Sequence, residues 1–139
     1  MARFLNEVMT RAPVALDADA TLVEAAKLMR QHDIGDVLVT RDKKLIGILT
    51  DRDLVVRGVA DQRPYTGSVG DICSPDPVTV RSTDSVDTAV ELMRQHAIRR
   101  LPVVDDGQRP VGVVSLGDLA EDRDPESVLG QISQAPPTH

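Results

Sequence analysis

The strongest constraint on this chain is that it repeats itself. Leu28-Met29-Arg30-Gln31-His32 returns unchanged as Leu92-Met93-Arg94-Gln95-His96. A shift of 64 positions lays Pro13-Val14 on Pro77-Val78, Ala25 on Ala89, Ile34 on Ile98 and Val39 on Val103. One extra residue around Gln108 to Pro110 moves the shift to 65. Gly47-Ile48-Leu49-Thr50 then meets Gly112-Val113-Val114-Ser115, and Asp53-Leu54 meets Asp118-Leu119. A unit of roughly 50 residues buries too little surface to be stable alone, so the two copies are expected to share one core about a pseudo-twofold axis.

Each copy carries the same order of elements. Leu22, Ala25, Ala26 and Met29 are spaced i, i+3, i+4, i+7, and Val86, Ala89, Val90 and Met93 repeat the pattern, which predicts a one-faced helix in each copy. Thr21 followed by Glu24 reads as a capping box, and Asp84 and Ser85 offer caps in the second copy. Two strands follow each helix: 34–40 and 46–50 around the polar turn Asp42-Lys43-Lys44, then 101–104 and 111–115 around Asp106-Gly107, a stronger hairpin signal. Short extended segments at 14–16 and 78–80 precede the helices, and a second short helix ends each copy. The fold class is therefore α/β of the α+β kind, two β-α-β-β-α repeats. The first repeat is expected over 1–62, a linker over 63–70, the second repeat over 71–122 and a tail over 123–139. The region from Arg57 to Gly70, with Gly58, Pro64, Gly67 and Gly70, lacks an apolar period. Residues 126–132 are expected to form another short helix and 134–139 to fray.

Composition removes several classes of function. Phe4 and Tyr65 are the only aromatics and Trp is absent, so there is no stacking platform for single-stranded nucleic acid. A net charge of -6 disfavours binding to a phosphate backbone. Cys73 is the only cysteine, which rules out a disulfide within the chain and suits a reducing compartment. The opening Met1-Ala2-Arg3-Phe4-Leu5-Asn6-Glu7 lacks the apolar run of a signal peptide, and no stretch reaches membrane-spanning length. A cytoplasmic protein that contacts neither nucleic acid nor membrane is expected. No nucleophile with a paired base, phosphate loop or metal cluster is present, so no enzyme is expected. His32 and His96 each end a helix, where imidazole favours the dipole; without a matched ligand set, no metal is expected.

Two short motifs carry chemistry. In Thr50-Asp51-Arg52-Asp53 and Ser115-Leu116-Gly117-Asp118, a hydroxyl stands where a strand ends and a helix begins, beside free backbone N–H groups. A carboxylate three residues later can accept hydrogen bonds from two ribose hydroxyls. The same spacing also suits a capping box that only satisfies a helix N-terminus, and spacing alone leaves both readings open. Arg99 and Arg100 precede the strand 101–104 in the second copy, where planar guanidinium forks suit phosphate oxygens. The first copy has Gly35 and Asp36 there instead, and a carboxylate near a phosphate costs energy.

The repeat order, the ends Gly47-Ile48-Leu49-Thr50-Asp51-Arg52-Asp53 and Gly112-Val113-Val114-Ser115-Leu116-Gly117-Asp118, and Arg99-Arg100-Leu101-Pro102-Val103-Val104 resemble a tandem pair of CBS domains. The resemblance covers nearly everything from Glu7 to Ala120. It implies a pseudo-twofold pair of repeats, dimerisation into a flat disc, and adenosine nucleotides held in clefts that each repeat completes for the other. In one nucleotide-binding member of the family a similar basic pair at the start of this strand faces the phosphate. The stronger site implied here combines Thr10, Ala12, Val14, Ile34, Gly35, Arg99, Arg100, Val113, Ser115 and Asp118. The weaker combines Ile48, Thr50, Asp53, Ser74, Asp76, Val78 and Ile98. Taken singly, each aliphatic residue of these sets reads as core packing. The resemblance implies a regulatory module with no required cofactor and AMP, ADP, ATP or NAD as ligand. Leu54, Val55 and Leu119, apolar and expected to be exposed on the second helices, point to a helix-mediated homodimer, and an effector protein is expected on another chain. The alternative is a ligand-free dimeric scaffold, for example in a stress or dormancy response.

Overall fold

The computed structural model describes residues 2–122, and the helix expected over 126–132 and the tail from 123 lie outside them. Two compact units emerge. A central unit comprises Pro13–Pro77, and a terminal unit joins the residues up to Ala12 with those from Val78 onward.

The central unit runs β2 (Ala15–Asp17), α1 (Leu22–His32), β3 (Asp36–Arg41), β4 (Lys44–Thr50), α2 (Asp51–Asp53) and β5 (Ser74–Pro75), with β1 (Thr10–Arg11) lying before it in the chain. Its sheet has the order β2-β3-β4-β5, with β2 and β3 parallel and the other neighbours antiparallel. Thr21 caps α1 by accepting the Glu24 N–H at 3.1 Å, a contact worth about 1 kcal/mol. The polar turn after β3 is a two-residue hairpin, left-handed at both Asp42 (φ 52) and Lys43 (φ 67). Leu22, Ala25 and Met29 of α1 are buried with Val37, Val39 and Leu49 of the sheet; Ala26, expected on the same stripe, is exposed. The stretch after α2 and the expected linker 63–70 are partly ordered. Leu54–Val59 continues α2 as a π-helical turn, and Val69, fully buried, donates its N–H to the Ala20 carbonyl at 2.8 Å.

The terminal unit has β6 (Val80–Arg81), α3 (Val86–His96), β7 (Arg100–Val104), β8 (Pro110–Ser115) and α4 (Leu116–Asp122), with sheet order β1-β8-β7-β6. Ser85 caps α3 through the Thr88 N–H, while Asp84 instead accepts the Arg81 N–H. The β7–β8 hairpin closes through Asp105, whose carboxylate accepts the N–H groups of Gly107 and Arg109, each at 2.9 Å. Gln108 (φ 64), not Gly107, takes the left-handed conformation. The core gathers Val86, Ala89, Val90 and Met93 from α3, Leu101 and Val103 from β7, Val114 and Leu119. Leu5 joins it fully buried, held by its N–H to the Asp84 carbonyl at 3.0 Å.

The first strand of each sequence repeat, β1 or β5, therefore belongs to the sheet formed by the other repeat. Thr10 pairs with Val113 and Arg11 with Gly112; in the same way Pro75 pairs with Gly47 and Ser74 with Ile48. At each crossover a left-handed residue, Ala12 (φ 54) or Asp76 (φ 52), precedes a proline. Glycine at the crossing is required by space. A Cβ on Gly112 would lie 2.8 Å from the Thr10 carbonyl oxygen, and one on Gly47 would lie 2.7 Å from the Ser74 carbonyl oxygen.

Candidate functional site

In the terminal unit β8 ends on Ser115 and α4 begins at once, so the strand-to-helix corner has no loop. Ser115 Oγ accepts the Asp118 N–H at 3.2 Å, and Asp118 Oδ2 accepts the Ser115 N–H at 2.9 Å. This is a reciprocal capping box, so the bland reading of the motif is real. It still leaves chemistry over. Ser115 keeps its hydroxyl proton to donate, and Asp118 Oδ1 has no hydrogen-bond partner among the described residues. The backbone of the arginine pair is fixed at the same corner: Leu116 donates its N–H to the Arg99 carbonyl at 2.8 Å, and Arg100 stands opposite Ser115 in the ladder.

Strand alternation sorts these side chains. Leu101, Val103 and Val114 are buried in the core, so Arg100, Val113 and Ser115 lie on the other face of the sheet, and Thr10, opposite Val113, joins them. Of the ten residues expected at the stronger site, Thr10, Ala12, Arg99, Arg100, Val113, Ser115 and Asp118 lie in the terminal unit. Val14, Ile34 and Gly35 lie in the central one, where Val14 and Ile34 pack on its core.

The central unit builds the same corner with other charges. Thr50 Oγ1 accepts the Asp53 N–H at 3.0 Å, and Asp53 Oδ2 accepts the Thr50 N–H at 2.9 Å. Ile48, Thr50 and Ser74 share the non-core face, with Asp36 opposite Thr50. Asp53 is buried, and its Oδ1 lies 3.9 Å from Arg57 Nε. Arg57 also donates to the Ile72 and Cys73 carbonyls. The remaining carboxylate oxygen is thus already in the field of a cation. Asp76 lies in the central unit, whereas Val78 and Ile98 pack on the terminal core.

One residue escaped the reading of the sequence. The Asp51 N–H donates to the Gly35 carbonyl at 2.9 Å, as Leu116 does to Arg99, and Asp51 Oδ2 lies 3.2 Å from where a Gly35 Cβ would stand. The direction in which the Arg99 side chain leaves its backbone is here occupied by a carboxylate. The only sequence signal was the pairing of a glycine with an acidic residue at the equivalent positions.

Other candidates resolve plainly. Cys73 is buried, and burial, with Asp53 second, pushes its thiol pKa up, which makes it a poor nucleophile. His32 and His96 end α1 and α3. Among the described residues no group of three or more His, Cys, Asp or Glu side chains is placed to hold a metal ion, and no helix is long and apolar enough to cross a membrane. Leu119, expected on an exposed dimer face, is fully buried because α4 lays it on the α3–β8 core, and Leu54 packs on the central core. Val55 is exposed as expected. Val23, Val56, Val59 and Tyr65 are exposed too, and Val23, Val59 and Tyr65 line a groove of about 410 Å³ between α1 and the π-helical turn.

Comparison with known proteins agrees with this geometry. The CBS domain family model matches residues 5–58 and again 69–123. The CBS domain-containing protein YhcV of Bacillus subtilis is 40% identical over 116 residues, covering 84% of this chain and 82% of the relative. The crystal structure of Hypoxic Response Protein I with two coordinated zinc ions superposes with a TM-score of 0.78 at 30% identity, covering 86% of this chain and 98% of that one. The CBS domain protein PAE2072 from Pyrobaculum aerophilum, complexed with AMP, gives a TM-score of 0.75 at 32% identity, covering 95% and 99%. With both of its repeats matched and both strand-to-helix corners built alike, this chain belongs to the CBS domain family as a tandem pair.

Proposed function

We propose that this protein is a cytoplasmic regulatory module, without catalytic activity of its own, that binds an adenosine nucleotide and modulates a partner protein. AMP, ADP, ATP and NAD share the adenosine that the corner would recognise. The observation that carries the reading is the Ser115–Asp118 corner: a hydroxyl proton and a carboxylate oxygen remain available after capping, with the backbone of Arg99 and Arg100 held alongside. An AMP complex of PAE2072, a relative of nearly the same length, supports the same ligand class. In this reading Asp118 accepts from the ribose, Ser115 and the arginines hold phosphate, and Thr10 and Val113 meet the base.

The test is the melting temperature with and without adenine nucleotides, for the native protein and a Ser115→Ala/Asp118→Ala variant. Ligand at about a hundred times its dissociation constant adds roughly 2.7 kcal/mol, a shift of several degrees. The variant also loses its cap and melts lower without ligand, so the readout is the ligand-induced shift. A shift that the variant lacks supports the reading; no shift with any nucleotide overturns it.

The module is also proposed to be a homodimer. Val23, Val59 and Tyr65 line an exposed apolar groove of the central unit, and Val55 and Val56 of the same π-helical turn are also exposed. That face equally favours the second reading, a dimeric scaffold that needs no ligand.

A further inference from the structure

We propose that the two corners take different classes of ligand: the terminal unit a phosphate-bearing nucleotide, the central unit an adenosine derivative whose 5′ substituent is neutral or cationic. The inference rests on the adenosine reading above and specifies its ligands. The backbones of the two corners are equivalent, since the Leu116 N–H to Arg99 carbonyl bond at 2.8 Å has its counterpart in the Asp51 N–H to Gly35 carbonyl bond at 2.9 Å. Both carry the same reciprocal hydroxyl and carboxylate box. Any difference in ligand must therefore come from the side chains around the box.

Those side chains invert the charge. At the terminal corner the equivalent positions hold Arg99, Arg100, Leu116 and Gly117; at the central corner they hold Gly35, Asp36, Asp51 and Arg52. The formal sum changes from two positive charges to one negative. The inversion is also spatial, because Asp51 Oδ2 stands 3.2 Å from the Cβ position that Gly35 lacks, and the other corner has an arginine, Arg99, at the equivalent place in the chain. Arg52 is exposed one residue along the helix, and Arg57 is engaged with Asp53 and two carbonyls. A dianionic 5′-phosphate at this corner is repelled by the Asp51 carboxylate, whereas a nucleoside or thioether is not and a sulfonium is attracted to it. The shared box still offers a carboxylate to the ribose, so the adenosine part of the ligand is common to both.

Calorimetric titration of the whole protein with AMP and with S-adenosylmethionine, a sulfonium probe, tests this. The expected result is one AMP per chain, and one S-adenosylmethionine per chain still binding when AMP is saturating. Asp51→Asn, which keeps an oxygen for the Arg52 N–H, is expected to weaken S-adenosylmethionine about tenfold and to open a second AMP site, both effects shrinking in about 0.5 M salt. Ser115→Ala/Asp118→Ala is expected to abolish AMP binding and spare S-adenosylmethionine. Two equal AMP sites per chain, or S-adenosylmethionine displacing the single AMP, overturns the division of ligands while leaving the adenosine reading in place. No heat from either probe with folded protein overturns both.

Discussion

Gly112→Ala places a methyl group where the chain leaves no room, and its effect can be worked out from the crossing of β1 over β8. The new Cβ would lie 2.8 Å from the Thr10 carbonyl oxygen and 2.9 Å from Met9 Sδ. Methionine can swing aside, but the carbonyl belongs to a strand of two residues held by two register pairs, Thr10 with Val113 and Arg11 with Gly112. Relief requires β1 to retreat by about half an ångström, at the overpacking cost of about 1–3 kcal/mol. For a chain of this length that lowers the melting temperature by about 3–10 °C. Gly117→Ala is the control. Its nearest neighbour is Ser115 Oγ at 3.6 Å and its φ is not positive, so the loss of unfolded-state entropy is expected to stabilise the protein by about 0.4–1 kcal/mol. Thermal and urea denaturation of both variants measure the difference. Because β1 carries Thr10, Gly112→Ala is also expected to weaken nucleotide binding well below its melting point. A Gly112→Ala protein as stable as the native one would refute the close crossing, and with it the placing of Thr10 at the corner.

Two further outcomes follow from single positions. Ala97 ends α3 in the left-handed conformation (φ 53, ψ 44), which costs an L-residue about 1–2 kcal/mol, so Ala97→Gly is expected to raise the unfolding free energy in urea by about 1 kcal/mol; a fall would show that the helix ends differently. Val59 is 73% exposed on the apolar face of the central unit, and Val59→Asp is expected to convert the proposed dimer to monomer in sedimentation velocity without lowering the melting temperature of dilute protein. An unchanged sedimentation coefficient in a dimeric variant would exclude this face as the interface.

How much of the structure was readable depends on how local each signal is. The helix stripes Leu22-Ala25-Met29 and Val86-Ala89-Val90-Met93 were legible because period and burial are set within one element. Ala26 broke its stripe because it faces the open groove instead of the sheet. Leu119 was misplaced because a short helix shows too few turns for its buried side to be distinguished from sequence. The exchanged strands were illegible: Thr10-Arg11 and Ser74-Pro75 are two residues each, with no alternation to read, and they exist only because Gly112 and Gly47 admit them.

At the corners the same logic separates what is common from what is specific. Ser115-x-x-Asp118 and Thr50-x-x-Asp53 were legible as motifs but ambiguous as chemistry, since capping and ligand recognition use the same atoms. The structure shows why the two need not compete: capping uses one carboxylate oxygen and the acceptor side of the hydroxyl, and recognition needs the other oxygen and the proton. A duplicated unit can therefore keep the box for folding in both copies while its neighbours diverge. Gly35 with Asp51, against Arg99 with Leu116, is such a divergence. It costs the fold little, because the backbone bond each pair makes is the same, and it changes the charge that the proposed ligand would meet. Folding constrains the Ser115 and Thr50 boxes alike, so differences between the repeats in ligand should be sought in the residues the box does not need.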